Sequence, residues 1–320
     1  LAAPGDTPLG KLVAVRRAAE GARHASGFAL LSGPQAAYSS RLALVDAAQK
    51  TLDLQYYAIH ADASSERLLL SVMAAAQRGV RVRVLLDDFH STGRDAQVMR
   101  LAFVPNIEMR MFNPLTGARN SQLGRMFSLL GDFSRVQQRM HNKLFIADNA
   151  MGIAGGRNLG DAYFGHDTSG NFVDLDVLAA GPIVQDLSRS FDSYWNNVRA
   201  YPVQSLIKRE ELLQLKTQFE QEDSKAETST AKPQNNSTVS AAAMNLRKVP
   251  WVWAQALVLA DSPSKIPLEG DDTHPAATEA DPAGVLKTGK HSTVPASTAS
   301  ALHGASVEAI VGTITTGQPA

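Results

Sequence analysis

The sequence contains no cysteine. Disulfides, thiolate nucleophiles and cysteine-ligated zinc are thereby excluded, although the compartment is not fixed, since cysteine-free chains occur on both sides of a membrane. Net charge is also absent, with 31 Lys plus Arg against 31 Asp plus Glu. A neutral chain has no global field to gather nucleic acid or anionic lipid, so any phosphate binding must be local. No run approaches the ~20 apolar residues of a membrane span. No leader segment is visible, but the chain opens at Leu1 rather than Met, which reads as an upstream piece removed or never included.

What is present divides unevenly. The chain has 320 residues, 44% of them hydrophobic, enough for a sizeable core in one large or two medium domains. Residues 1–200 alternate strand-like and helix-like runs. Leu52 to Ile59 reads as a strand, with Tyr56, Tyr57 and Ile59 as β-formers. Glu66 to Arg78 reads as a helix carrying Leu68, Leu69, Val72, Met73 and Ala76 on one stripe, ended by Gly79. Val80 to Leu86 and Ile107 to Phe112 follow as strands, so the layout is βαβ with helices on both faces of a sheet. Lys143 to Ala147 and Met151 to Ala154 are strands around a turn at Asp148-Asn149, Phe172 to Ala180 is a third, and Pro182 starts a helix toward Trp195 and Val198.

Beyond residue 200 the signal decays. Residues 201–224 read as a charged helical extension, and 225–245 as a Ser-, Thr-, Ala-, Gln- and Asn-rich linker. An apolar island at 246–265 is expected to hold one strand, Trp251 to Ala260. Residues 266–320 lack sustained periodicity and are expected to be largely disordered. The sequons at Asn235 and Asn236 are short enough to arise by chance.

The chemistry is concentrated in RMHNKLFIADNAMGIAGGRNLGD, from Arg139 to Asp161. His141 and Lys143 stand two apart at the head of a strand and should project from one face. An imidazole can attack phosphorus and form a covalent intermediate, dividing one difficult displacement into two easier ones. The neighbouring ammonium neutralises the non-bridging oxygens of the phosphodiester. Gly155 and Gly156 permit close backbone approach, and Asn158 can add a neutral donor to the same oxygens. His141, Lys143 and Asp148 form an HxKxxxxD pattern, followed after six residues by Gly-Gly-Arg-Asn.

This pattern resembles the signature of the phospholipase D superfamily. The runs LDLQYY at Leu52–Tyr57, RGVRVRVLLDD at Arg78–Asp88, PNIEMRMFNP at Pro105–Pro114, FVDLDVLAAGPIV at Phe172–Val184 and SFDSYWN at Ser190–Asn196 are similar to its bacterial cardiolipin synthase branch. The similarity covers about residues 8–200 and, weakly, 251–265. The resemblance implies an α/β sandwich with a mixed central sheet, transfer of a phosphatidyl group between lipids, and no metal or organic cofactor. It implies phospholipid substrates such as phosphatidylglycerol, and a bacterial, peripheral inner-membrane location. It also implies an acidic residue on the strand after the motif that orients the nucleophilic histidine; Asp174 is the first choice, and Asp176 could serve. Asp148, past the strand at a turn, is expected to brace the site rather than touch substrate.

Other candidates are weaker. His60 and His90 end strand-like runs near the expected sheet edge, His166 reads as a loop histidine, and Asp87 and Asp88 read as strand-end caps rather than metal ligands.

A complete site in this superfamily uses two HxK motifs, the second supplying the acid that protonates the leaving group. His274, His291 and His303 are the only histidines after residue 166, and none has a Lys two positions on. Three readings stay open: a site completed by a homodimer or a second HxK-bearing chain, a truncated synthase, or a non-catalytic phosphate- or lipid-binding protein. A nuclease is the alternative in substrate. Residues 1–200 show no extended basic stripe with interleaved aromatics, which argues against nucleic acid.

Overall fold

The computed structural model describes residues 3–87, 96–114, 140–206, 242–263 and 309–311, and positions 214, 217 and 221. The expectations for Asp88, His90, His274, His291 and His303, for most of the linker and extension, and for nearly all of the tail lie outside these residues.

In chain order the elements are α1 (Pro8–Ala19), β1 (Ser26–Leu31), α2 (Pro34–Ala47), β2 (Thr51–Tyr56), α3 (Ala63–Gln77), β3 (Arg81–Asp87), α4 (Ala96–Arg100) and β4 (Ile107–Phe112). After these come β5 (Leu144–Ala147), β6 (Met151–Gly155), α5 (Asp161–Phe164), β7 (Asp176–Ala180), α6 (Ile183–Trp195), β8 (Ala200–Pro202), α7 (Val203–Leu206), β9 (Val252–Ala254), β10 (Leu257–Leu259) and β11 (Ala309–Val311). Local chemistry sets several boundaries. Thr7 caps α1 by accepting from Gly10 N, with Pro8 as the first helical residue. Asp62 caps α3 by accepting from Ser65 N, and Gly79, at φ 94°, follows its last turn.

Strands β1 to β9 form one sheet in the order β8-β4-β3-β2-β5-β6-β7-β1-β9. The β2–β3 and β3–β4 pairs are parallel and the others antiparallel, so this is a mixed sheet. Alternation along the strands creates two cores. Leu52, Leu54, Tyr56, Val82, Val84, Phe145 and Ile153 face the layer of α1, α2 and α3. Leu85, Phe112, Leu144, Ile146 and Ala179 face α6, which buries Ile183, Val184, Leu187, Phe191, Tyr194 and Trp195. The result is an α/β sandwich with a mixed central sheet.

The structure corrects some element assignments. The strand expected over Leu52 to Ile59 ends at Tyr56. His141 and Lys143 precede β5, which begins at Leu144, and so are not in a strand. The strand expected from Phe172 begins only at Asp176, because both neighbours run out there: Asp176 is paired with Leu31, the last residue of β1, and with Gly155, the last of β6. With nothing to ladder against, Phe172 and Val173 are exposed. The island after residue 246 contains two strands, not one. Strand β9 extends the main sheet beside β1, whereas β10 lies on the α6 side and pairs with β11. Three tail residues, Ala309–Val311, are thus in a strand. No element before Leu52 was assigned from the sequence, yet α1, β1 and α2 supply much of one core.

Candidate active site

The sheet brings the expected residues to one of its ends. Register places Gln55 of β2 opposite Leu144 of β5, and Leu144 opposite Ala154 of β6. Tyr57 follows the end of β2, the His141–Lys143 segment leads into β5, and Gly155 ends β6, so the three lie at the same end of neighbouring strands. Gly155 in turn pairs with Asp176 of β7, and Gly156 N donates to Leu175 O. The His141–Lys143 segment, the Gly155–Asn158 turn and Asp174 therefore share one edge.

His141 is exposed and its ring stacks on Tyr57, with centroids 4.4 Å apart and planes inclined by 27°. Lys143 is buried, and its Nζ donates to His141 O and lies 6.0 Å from the Tyr57 centroid. Both side chains thus reach the same ring. The segment is held from beneath by Asp87, whose Oδ2 accepts from Met140 N at 3.1 Å. Asp87 does end a strand, but its carboxylate serves the residue next to His141.

Gly155 and Gly156 are required by the following strand. A Cβ on Gly155 would overlap Asp176 Oδ1 and Leu175 O, and one on Gly156 would overlap the Asp174 carboxylate. The side chain of Asn158 is buried and engaged at both ends: Oδ1 accepts from Ala58 N at 3.2 Å, and Nδ2 donates to Tyr163 Oη at 3.1 Å.

The two acidic candidates separate. Asp174 is half-buried, its Oδ1 accepting from Leu175 N at 2.8 Å. Asp176 does not share a strand face with it: Asp176 is buried, 3.0 Å from Arg41 and 3.6 Å from Arg157, and Arg157 N donates to its Oδ1. Burial opposes the charge of Arg41, but Tyr56 and Asp176 more than offset it and raise its pKa. Asp176 is therefore committed to the α2 layer, whereas the Asp174 carboxylate lies beside Gly156.

Asp148 lies at the other end of β5, roughly 20 Å from His141 at the rise of an extended chain. Asp148 and Asn149 both have positive φ, 54° and 55°, in a turn closed by Ala150 N donating to Ala147 O. Its carboxylate accepts from Gln49 N, Lys50 N and Thr51 N, tying the turn to the start of β2.

His60 sits on the rim, its N–H donating to Leu159 O and its ring 6.0 Å from that of Tyr163. His166 is turned away into a capping cluster, where Nδ1 is 3.0 Å from Ser64 Oγ, itself a donor to Asp161. Tyr57 was missed as a site residue. Its meeting with His141 has no signal in local spacing.

Residues 42–195 match the family model described as cardiolipin synthase, PLD-like domain. An uncharacterized protein of Helicobacter pylori is 38% identical over 266 residues, covering 82% of this chain and 52% of its own. Cardiolipin synthase C of Escherichia coli is 43% identical over 171 residues, covering 53% and 35% respectively. Among solved structures, NucT from Helicobacter pylori aligns at 13% identity with a TM-score of 0.41, over 55% of this chain and 98% of that one. The chain spans between about a third and a half of the length of these two curated relatives. The matched segment contains β2 to β7 with their edge residues, and residues 42–195 belong to the phospholipase D superfamily, in its cardiolipin synthase-like branch.

Proposed function

We propose that the chain is a phosphatidyltransferase or phosphodiesterase of the phospholipase D type, acting on phospholipids such as phosphatidylglycerol at a membrane surface. The observation that carries this reading is the convergence of His141 and Lys143 on one ring, beside the Gly155–Asn158 turn. An imidazole nitrogen of His141 attacks phosphorus, forming a P–N bond as the P–O bond to the leaving alcohol breaks. Lys143 balances the charge on the non-bridging oxygens, and Asp174 is the proposed orienter of the imidazole. The departing alkoxide takes a proton from a general acid, which a second HxK motif supplies, from a longer form of this chain, a second copy or another chain. An acceptor hydroxyl, or water, then forms a new P–O bond as the P–N bond to His141 breaks, giving its proton back to the group that protonated the leaving alcohol.

The test incubates the protein with phosphatidylglycerol, traps the adduct, and locates it by mass spectrometry. A phosphatidyl group on the peptide containing His141 is expected. His141→Ala should abolish adduct and turnover, and Lys143→Ala should cost roughly 100- to 1,000-fold, as for removal of one charge-stabilising donor. Turnover should rise with the square of protein concentration at low dose if two copies complete the site. Full turnover in His141→Ala would overturn the proposal.

A further inference from the structure

We infer that Tyr57 is a positioning residue for the nucleophile, a role that rests on His141 being the attacking group. Strand β2 is buried along its whole length to Tyr56, whose hydroxyl accepts from Arg41 Nε at 3.1 Å. Tyr57 is the first residue to emerge from the sheet, and it is half-buried. It follows directly on β2, which lies beside β5 in the sheet, and its ring meets both residues of the proposed chemistry. Its backbone is pinned from the next position, since Ala58 N donates to Asn158 Oδ1 and Ile59 bridges to Leu159. The ring is thus fixed to the same turn that borders the site.

That fixity matters because His141 lies outside the strand ladder and is exposed. An exposed histidine on irregular backbone samples several rotamers, most of which misdirect its nitrogen. Stacking at 4.4 Å and 27° restricts the imidazole plane before substrate arrives. The same ring has Lys143 Nζ at 6.0 Å, the outer limit of a cation–π contact, so one side chain sets the spacing of both groups. Pre-alignment of this kind acts on the chemical step, where a misplacement near 1 Å costs about 100-fold.

The experiment follows the His141 imidazole by NMR, assigned by difference with His141→Ala, alongside the phosphatidylglycerol adduct rate in Tyr57→Phe and Tyr57→Leu. In the wild-type protein the His141 ring protons should be shifted upfield by the tyrosine ring current. Tyr57→Phe should keep that shift and most of the rate. Tyr57→Leu should lose the shift and slow adduct formation by about 10- to 100-fold, with the substrate concentration at half-maximal rate changed less than about twofold. Circular dichroism confirms that each variant is folded. If Tyr57→Leu retains the wild-type shifts or the wild-type rate, the positioning role is overturned while the nucleophile stands. A wild-type chain that forms no adduct at His141 overturns both.

Discussion

Asp148 Oδ1 accepts from Lys50 N at 2.7 Å, joining the β5–β6 turn to the start of β2 across 98 residues of sequence. The same carboxylate also takes the N–H groups of Gln49 and Thr51. Its work is at the end of the sheet remote from His141, so its loss should register first in stability. Asp148→Ala removes the acceptor of three N–H groups and places a Cβ-bearing residue without a polar side chain at φ 54°. A loss of about 3 kcal/mol or more is expected in urea unfolding, given the strength of hydrogen bonds to a charged group. Asp148→Asn keeps an acceptor and tolerates the left-handed backbone, so it should lose less than half as much. Equal losses in the two variants would show that the charge, not the geometry, is decisive.

Asp176 and Arg41 make the second prediction. Both are buried, and Arg41 Nε also donates to Tyr56. Asp176→Ala leaves two buried guanidinium groups, Arg41 and Arg157, without their carboxylate, and should cost about 3–5 kcal/mol. Arg41→Met should cost less, because Arg157 still faces Asp176 at 3.6 Å. Denaturant unfolding of both variants checks the order, and the reverse order would place the dominant partner elsewhere.

Glu20 gives a pH test of how the 246–254 segment docks. Its carboxylate accepts from Trp253 Nε1 at 2.6 Å and from Arg16, and these bonds, that of Trp253 first, lower its pKa from 4.5. The folded-state value is the depressed one. The contribution of this contact to stability is therefore present above about pH 4.5 and is lost as pH falls through the lower folded value. Trp emission should change in that acid window, and the change should disappear in Glu20→Gln. An identical acid transition in Glu20→Gln would assign it to other groups.

Much of the architecture was legible because it rests on local patterns. Ile107 to Phe112 reads as a strand and is one, with the same bounds. The stripe of Leu68, Leu69, Val72 and Ala76 is the buried face of α3. Errors fell where a neighbour, not the local run, decides. Phe172 to Leu175 has strand composition, but β1 and β6 end before reaching it. Trp251 to Ala260 has the composition of one strand, but the chain crosses from the sheet edge to the α6 face partway along.

The site divides in the same way. The spacing of His141 and Lys143 is a property of the sequence, because residues two apart stay near one another whatever surrounds them, whereas the glycines and Asn158 come back beside them only because β5 and β6 pair as a hairpin. The turn at Asp148-Asn149 was likewise readable, since few residues other than glycine tolerate two successive positive φ values. Only the tertiary structure decided that Tyr57, just past the end of a strand and more than 80 residues earlier, meets His141, and that Asp176 belongs to Arg41 while Asp174 stays at the edge. It also decided that Asp87 anchors Met140. Those partnerships depend on strand order and register, which arise from burying both faces of one sheet at once, and no local stretch of sequence encodes them.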